Sequence, residues 1–390
     1  MSGIKIIRAT TVPMSLEAFC NGMLKELSRK YEVIALSSPG EEMKTVAERE
    51  GVRTIEVPME RHIAIWKDFV ALCKLICVFL RERPTMVHSM TPKAGLLCMM
   101  AAWITRVPVR VHTFTGLVFP TAKGFTRRIL MATDWLTCAC ATHIIPEGEG
   151  VKNDLLKNGI TKKPLKVLGY GNVRGVDMNK YSVESLELRV NSLSADDKGR
   201  LKAMMKKSPK FTFLFVGRIV RDKGIDELCA AFDKLSGLTE ARLVLVGPYE
   251  DSLDPISEKS REIVKKNPDI ECVGPKMGDE LLAYYAAADC FVFPSYREGF
   301  PNTVLEAGAM GLPSIVTDIN GSREIIIPRR NGVIIPPRDA SALFQAMLDM
   351  MRDRTARECM AANTRQMISS RYEQSYVRQC LYDFYDEILS

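Results

Sequence analysis

Short apolar runs alternate with longer stretches of helical periodicity along the first half of the chain. The apolar or β-branched runs lie at residues 4–7, 33–36, 54–57, 86–88, 109–113 and 143–145. Between them, apolar residues recur at helical spacing in residues 16–28, 66–81, 94–104 and 127–137. This alternation predicts an α/β fold with a parallel, doubly wound sheet, in which ligands bind at the carboxyl ends of the strands.

The second half of the chain repeats the pattern. Apolar runs that predict strands lie at residues 211–216, 243–246, 270–273, 290–293 and 314–317. Residues 182–210 before them are polar and rich in lysine, which is typical of a linker or a surface helix. A chain of 390 residues is long enough for two domains. We place their boundary at a glycine-rich turn, which gives domains of residues 1–170 and 171–371.

Composition excludes several classes of protein. The 11 cysteines are scattered without a Cys-x-x-Cys pair, which indicates a reducing compartment. We expect two close pairs to be core thiols: Cys73 with Cys77, and Cys138 with Cys140. The net charge of +7 suits anionic substrates or an anionic membrane surface, but no basic stripe with interleaved aromatic residues indicates nucleic acid binding. The apolar stretch at residues 69–80 is too short to span a membrane, and residues 1–11 lack the apolar core of a signal peptide.

Residues 290–318 contain the clearest candidate for a ligand-binding site in the sequence. A strand at 290–293, a loop with glycine and proline, a helix that starts near Asn302 or Thr303, and a strand at 314–317 follow one another. The loop and the helix N-terminus bring backbone N–H groups to one point, which attracts phosphate. Glu298 and Glu306, eight residues apart, are carboxylate acceptors for sugar hydroxyls if both face the strand ends. Two solvated glutamates on an ordinary βαβ element remain the alternative.

This segment resembles the donor-site signature of retaining nucleotide-sugar glycosyltransferases of the family-4 type. The resemblance runs through Glu298-Gly299-Phe300-Pro301-Asn302, Glu306-Ala307 and Gly311-Leu312-Pro313. It implies the GT-B fold, in which two doubly wound Rossmann-like domains face a cleft and the helix at 372–390 returns to the first domain. It also implies that Glu298 and the amides of Gly299 and Phe300 lie beside the donor sugar, with Asn302 and Thr303 in the same site, and that Glu306 holds the ribose.

The loop after the strand at 211–216 supplies cations. Gly217 permits close approach of a backbone, and Arg218 and Lys223 can converge on a diphosphate. Two solvated cations are the alternative, but the spacing to the glutamate segment matches the family pattern. The later loop with Gly274 and Lys276 resembles the family's loop that reads the nucleobase. Because no Asp-x-Asp ends a strand, we expect no metal and no other cofactor.

Three loops of the first half resemble the acceptor-side loops of the subgroup that builds capsular and other surface polysaccharides. Their candidate residues are Thr11, Pro13 and Ser15 after the first strand, His88 and Lys93 after the fourth, and His112 and Thr113 after the fifth. We expect Ser15 to cap the first helix, and both histidines to lie at strand ends. Each histidine could instead bind its own loop, but the resemblance matches His112 to the family's histidine that reaches the donor sugar. The first loop departs from the wider family, because Thr10-Thr11-Val12-Pro13 replaces a common Gly-Gly pair.

The sequence therefore predicts a retaining hexosyltransferase that moves a sugar from a nucleoside diphosphate sugar, a UDP-sugar, to a glycan acceptor. The resemblance implies an acceptor linked to polyprenyl diphosphate and a role in surface polysaccharide synthesis. We expect a cytoplasmic protein that docks on the inner leaflet through the apolar stripe of residues 66–81, although that stripe would equally serve to pack a helix on a sheet. A GT-B-fold UDP-sugar epimerase and a non-catalytic sugar-nucleotide-binding or scaffold subunit are the alternatives. The presence of Arg218 and Lys223 together with both glutamates favours an enzyme.

Overall fold

The computed structural model describes residues 3–60, 62, 64–251 and 254–390. The chain forms two compact units. The first unit comprises Met1–Arg174 together with Val377–Ser390, and the second unit comprises Gly175–Tyr376. Both units are α/β structures with a parallel six-stranded sheet, as the alternation of apolar runs and helical periodicity predicts.

The first unit orders its strands β3-β2-β1-β4-β5-β6. These strands are β1 (Lys5–Ala9), β2 (Glu32–Ser37), β3 (Arg53–Glu56), β4 (Met86–Met90), β5 (Val109–Phe114) and β6 (His143–Pro146). The helices between and after them are α1 (Pro13–Cys20), α2 (Met23–Leu27), α3 (Glu42–Glu50), α4 (Ile65–Glu82), α5 (Pro92–Ile104), α6 (Gly124–Cys140) and α7 (Glu149–Lys157). Two apolar cores, one on each face, bury the sheet, as expected for a doubly wound fold.

The second unit orders its strands β12-β11-β10-β7-β8-β9. These are β7 (Phe211–Val216), β8 (Ala241–Val246), β9 (Ile270–Gly274), β10 (Cys290–Phe293), β11 (Ser314–Thr317) and β12 (Gly332–Ile335). Its helices are α8 (Val183–Asn191), α9 (Ala195–Met205), α10 (Ile225–Ser236), α11 (Glu258–Lys266), α12 (Gly278–Ala287), α13 (Asn302–Ala309), α14 (Ser322–Ile325), α15 (Ala340–Arg352) and α16 (Arg354–Tyr372). The last helix, α17 (Gln374–Leu389), belongs to the first unit from Val377 onward.

Strand order reverses direction once in each sheet, between β1 and β4 in the first unit and between β7 and β10 in the second. In an open parallel sheet, the loops that follow two such strands leave toward opposite faces and open a crevice at the carboxyl edge. The loops after β1, β4, β7 and β10 are those that carry most of the candidate residues. The strand order alone therefore places the candidate residues of each unit at the crevice of its own sheet.

Three expectations about local structure are wrong. Residues 16–28 form two helices, because Gly22 adopts a left-handed conformation (φ 75°) that interrupts the first. The first of these helices starts at Pro13, so Ser15 lies inside it and does not cap it. In contrast, the helical alternative for residues 182–210 is confirmed, since the segment forms two helices that begin at the capping hydroxyls of Ser182 and Ser194. Of the cysteines expected in the core, Cys138 and Cys140 are buried, whereas Cys73 and Cys77 are exposed on α4.

A buried arginine joins the last helix to the first sheet. Arg8 of β1 is 2 % exposed, and its Nη1 donates to Tyr385 Oη of α17 at 2.6 Å and lies 2.5 Å from His88 Nδ1 of β4. His88 Nε2 lies 2.7 Å from Thr113 Oγ1 of β5. The network thus links three neighbouring strands and the C-terminal helix.

The donors and acceptors of this network are consistent only with a neutral His88. Arg8 has no acceptor atoms, so Nδ1 of the ring must accept, and Nε2–H donates to Thr113. Burial and the neighbouring Arg8 charge lower the pKa of His88 well below its ordinary value. The buried charge is therefore carried by Arg8 alone, and the Tyr385 hydroxyl is one of its few acceptors.

We expect Tyr385→Phe to destabilise the first unit by about 1–3 kcal/mol, because it removes an acceptor from a buried cation and leaves an N–H group without water. All three tryptophans of the chain, Trp66, Trp103 and Trp135, lie in this unit, so urea unfolding followed by tryptophan fluorescence reports on it. Tyr382→Phe is the matched control, since Tyr382 lies on the same helix as Tyr385 but its hydroxyl donates to the partly exposed Glu26 of α2. Equal unfolding midpoints for the two variants would contradict the role given to Arg8.

Candidate active site

The loops after β7 and β10 meet at the carboxyl edge of the second sheet. Lys223 Nζ forms an ion pair with Glu298 Oε1, and Ser295 Oγ donates to the same carboxylate at 2.9 Å. The loops approach closely because Gly224 has no side chain: a Cβ there would lie 2.1 Å from the Pro294 carbonyl oxygen, and its φ is 71°. The structure thus brings together a cation and a carboxylate that are 75 residues apart in the sequence.

Arg218 follows Gly217 at the end of β7 and binds a second carboxylate. Its Nη1 lies 2.5 Å from Glu250 Oε2, and Glu250 belongs to the loop after the neighbouring strand β8. The Arg218 side chain is half exposed, so the guanidinium fork remains open to a ligand on its other N–H groups. Arg218 and Lys223 both belong to the loop between β7 and α10, as the sequence predicts.

The loop between β10 and α13 presents backbone to the same edge. Helix α13 begins at Asn302, followed by Thr303, and its N-cap, Pro301, provides no side-chain hydrogen bond, so amides of its first turn point outward from the helix end. The Phe300 ring packs against Tyr372, with ring centroids 5.5 Å apart, and both Gly299 and Phe300 are buried. The amides of the first turn of α13 are suited to an anion rather than to an apolar ligand.

Glu306 lies in the second turn of α13 but does not share the surroundings of Glu298. Its side chain is 6 % exposed, and its Oε2 accepts a hydrogen bond of 3.3 Å from Tyr285 of α12. The two glutamates were expected to face the strand ends together. Glu306 is instead almost enclosed, with a small part of its surface left for a ligand.

The residues of the expected nucleobase loop lie at and beyond the end of β9, since Gly274 is the last residue of this strand and Lys276 follows it. Gly274, with φ 70°, accepts a hydrogen bond from Gly247 N of the β8 loop at 3.0 Å. Lys276 lies 3.5 Å from Glu280 at the start of α12. The loops after β7, β8 and β9 are therefore joined in series along one edge, since Gly217 N in turn donates to Val246 O of β8.

The first unit has an apolar groove of about 340 Å³ at the carboxyl edge of its sheet. Its lining comes from the loops and helices that follow β1, β4 and β5: Thr11, Val12, Ser15, Thr91, Pro92, Lys93, Leu96, Val118, Ile129, Leu130 and Thr133. Thr11 Oγ1 lies 2.7 Å from Thr91 Oγ1 and accepts from Ala94 N, which fixes the first loop on α5. Lys93 forms an ion pair with Asp68 of α4.

His88 and His112 lie within their strands, so their expected placement at strand ends is wrong. The strands β4 and β5 extend beyond the apolar runs of the sequence because their polar side chains bind one another. His112 is 1 % exposed, its Nδ1 lies 2.9 Å from Ser89 Oγ, and its ring contacts Phe114 edge-on. A Cβ at Gly95 of α5 would lie 2.3 Å from His112 Cε1, so Gly95 makes room for the ring. Thr113 is buried as the partner of His88.

Sequence reasoning missed three residues of the site. Ser295 was visible as the first polar residue after a predicted strand, and Tyr285 had no distinguishing signal in its helix. Glu250 could have been found only with the strand order, since nothing in the sequence places the β8 loop beside Arg218. Within the described residues, no group of three or more His, Cys, Asp or Glu side chains could hold a metal ion. None of the described helices combines the length and apolar character needed to cross a membrane.

Two family models match the chain. The model of glycosyl transferases group 1 matches residues 196–367, and the model of the glycosyl transferase 4-like domain matches residues 16–171. The chain is 30% identical to the capsular polysaccharide biosynthesis glycosyltransferase CapM of Staphylococcus aureus, over 100% of this chain and 98% of that protein. It is 26% identical to the Escherichia coli UDP-Gal:alpha-D-GlcNAc-diphosphoundecaprenol alpha-1,3-galactosyltransferase, over 82% of this chain and 80% of that one.

A solved structure supports the same fold. Alr3699/HepE of Anabaena, in complex with UDP, matches with a TM-score of 0.78 and 16% sequence identity, covering 98% of this chain and 100% of that one. At this identity the match shows the fold alone. It confirms the predicted α/β fold of GT-B type.

The buried histidines make the stability of the first unit depend on pH. Burial lowers the pKa of His112 from its ordinary value of 6.5 to about 3. Between these values the unfolded chain binds a proton that the folded chain does not, so the free energy of unfolding falls as the pH falls below 6.5. We expect His112→Gln to reduce this slope by up to about 1.4 kcal/mol per pH unit.

Urea unfolding followed by tryptophan fluorescence, at several pH values between about 7 and 5, measures the slope. His62→Gln is the control, because His62 is exposed. The comparison of slopes is independent of any loss of packing that His112→Gln causes at every pH. An unchanged slope in His112→Gln would contradict the buried, neutral state of this ring.

Proposed function

The chain belongs to the glycosyltransferases of the group 1 and 4-like type, and we propose that it transfers a sugar from a UDP-sugar to a glycan acceptor with retention of the anomeric configuration. The observation that carries this proposal is the meeting of Lys223, Glu298 and Ser295 at the point where the strand order of the second sheet reverses. A scaffold subunit that binds no sugar nucleotide would not need a cation, a carboxylate and a helix N-terminus without a side-chain cap at one edge. The similarity to a capsular polysaccharide glycosyltransferase supports a role in surface polysaccharide synthesis.

The cations would act on the leaving group. As the bond between the anomeric carbon and the diphosphate oxygen breaks, negative charge grows on the diphosphate, and Arg218 and Lys223 stabilise it. The acceptor oxygen forms its bond to the anomeric carbon on the same face, and its proton passes to the departing diphosphate oxygen. This front-face substitution needs no carboxylate nucleophile, and the two cations supply the electrophilic assistance, so we propose that transfer needs no metal.

Two glutamates would divide the recognition of the donor. Glu298 lies beside Lys223 and so is positioned for hydroxyls of the sugar next to the diphosphate. Glu306, almost enclosed on α13 beside Tyr285, suits the ribose hydroxyls of the nucleotide, with Gly274 and Lys276 toward the base. The backbone amides of Gly299, Asn302 and Thr303 would bind phosphate oxygens.

The acceptor would bind the first unit along its apolar groove. The groove combines aliphatic side chains with hydroxyls of Thr11, Ser15 and Thr91, the N-terminus of α5 and the cation Lys93. An acceptor with a polyprenyl chain, a diphosphate and a sugar contains the same three kinds of group. The E. coli relative, whose name gives a diphosphoundecaprenol-linked sugar as its acceptor, supports this class of substrate. His112 lies beneath these loops against Ser89 and Gly95, and we assign it a positioning role.

Helix α4 supports docking on the cytoplasmic face of a membrane. Leu75 and Phe79 pack its buried face into the first unit, whereas Trp66 and Phe69 are 76 % and 56 % exposed and stack with ring centroids 6.0 Å apart. A helix with one packed face and exposed aromatic residues near its start is suited to the interfacial region of a bilayer. We propose that this surface places the groove near a lipid-linked acceptor.

Release of UDP from a panel of UDP-sugars, with and without a polyprenyl-diphosphate glycan and in the presence of a chelator, tests the proposed function. We expect release that depends on the acceptor, and losses in Arg218→Ala and Lys223→Ala equivalent to about 2–4 kcal/mol of transition-state stabilisation each. Lys266→Ala, an exposed lysine paired with Glu262 on α11, is the control. Acceptor-independent conversion of the sugar would indicate an epimerase, and no turnover with any donor would indicate a binding subunit.

Flotation with anionic liposomes tests the membrane surface. We expect the protein to float at low salt and the double variant Trp66→Ser/Phe69→Ser to remain at the bottom of the gradient, because both side chains are exposed and would lose their apolar contact with lipid. Leu188→Ser, a similarly exposed apolar residue of the second unit, is the control. Flotation of the double variant at the wild-type level would contradict docking through α4.

A further inference from the structure

Glu250 holds Arg218 through an ion pair between two loops that are fixed against each other. Ile219 N donates to Pro248 O at 2.8 Å, and Ile219 and Tyr249 form an isolated parallel bridge. The backbones on which both charged side chains stand are thereby joined immediately beside the ion pair. The fold therefore holds the Arg218 and Glu250 side chains within reach of each other, with 2.5 Å between Arg218 Nη1 and Glu250 Oε2.

We propose that Glu250 is a built-in competitor for the diphosphate: it occupies Arg218, weakens the binding of nucleoside diphosphates and so favours release of the product. This inference rests on the proposed function, because it assumes that Arg218 binds the diphosphate of the donor. It concerns a carboxylate that no part of the proposed mechanism uses. Glu250 thus sets affinity, whereas Arg218 supplies the stabilisation of the leaving group.

The direction of the effect follows from charge. A carboxylate and a diphosphate are both ligands of the guanidinium fork, and each repels the other if both remain near it. Removing the charge of Glu250 while keeping its shape therefore strengthens the binding of a diphosphate. If Glu250 served to hold Arg218 in a binding orientation, the same change would weaken binding, so the sign of the change separates the two roles.

The chain offers a matched control in the next residue. Asp251 carries the same charge on the same loop but forms its ion pair with Arg261 of α11. Asp251→Asn removes one negative charge from the same loop without touching Arg218. A difference between Glu250→Gln and Asp251→Asn therefore measures the direct contact and not the general electrostatic potential.

Calorimetric titration of the whole protein with UDP and with inorganic pyrophosphate tests the inference. We expect Glu250→Gln to bind both ligands about two- to fivefold more tightly than Asp251→Asn, a range typical of a partly exposed ion pair. In an Arg218→Ala background the advantage of Glu250→Gln should disappear, because the competitor then has no cation to occupy.

The outcomes separate this inference from the function on which it rests. Equal affinities for Glu250→Gln and Asp251→Asn, weaker binding by Glu250→Gln, or an advantage that persists in Arg218→Ala would overturn the role of Glu250 and leave the proposed function intact. A wild-type protein that binds neither UDP nor pyrophosphate would contradict the proposed function together with the inference.

Discussion

The first unit depends on the hydrogen bond between the buried guanidinium of Arg8 and the hydroxyl of Tyr385. Arg8 lies on β1 and Tyr385 on α17, so this hydrogen bond connects the first strand of the unit to its last helix. In the part of the chain that the structure describes, no salt bridge to Arg8 is found, and neutral acceptors share its charge instead. Burying a cation in this way is costly unless its N–H groups find acceptors, and among the described residues Nη1 and Nη2 of Arg8 have acceptors whereas Nε has none. The position of α17 is consequently fixed by the hydrogen bond to Arg8 as well as by apolar packing.

The need to pair every buried polar group also explains why the buried His88 stays neutral. His88 can neither gain a proton beside Arg8 nor lose its hydrogen bond to Thr113 without leaving a buried polar atom unpaired. These requirements keep β4 and β5 regular beyond the predicted apolar runs, by two residues in β4 and by one residue in β5. Thr91 and the start of α5, with Lys93, are therefore supported from beneath by a buried hydrogen-bond network.

Much of the fold and half of the site could be predicted from local sequence. Apolar runs identified the strands, and the residues from Glu298 to Asn302 identified a loop and a helix start, because turn residues and uncapped amides leave a local pattern. The two histidines were misplaced, since a polar residue that is satisfied across a sheet looks the same in sequence as one that ends a strand. Glu250 was invisible, because its partner Arg218 lies 32 residues away and only the strand order brings their loops together.

Arg218 and Lys223 lie at the same edge of the sheet but differ in their exposure to solvent and in their ion-pair partners. Lys223 is largely enclosed, lies 5.2 Å from the centre of the Phe293 ring, and faces a carboxylate that Ser295 also binds. Removing Lys223 therefore leaves Glu298 as a poorly solvated charge, with a cost to folding as well as to chemistry. Arg218 is half exposed, and its ion pair with Glu250 contributes little to stability. Lys223 is thus part of the framework of the second unit, whereas the exposed guanidinium of Arg218 is the one that, in the proposed mechanism, exchanges the Glu250 carboxylate for a phosphate of the ligand.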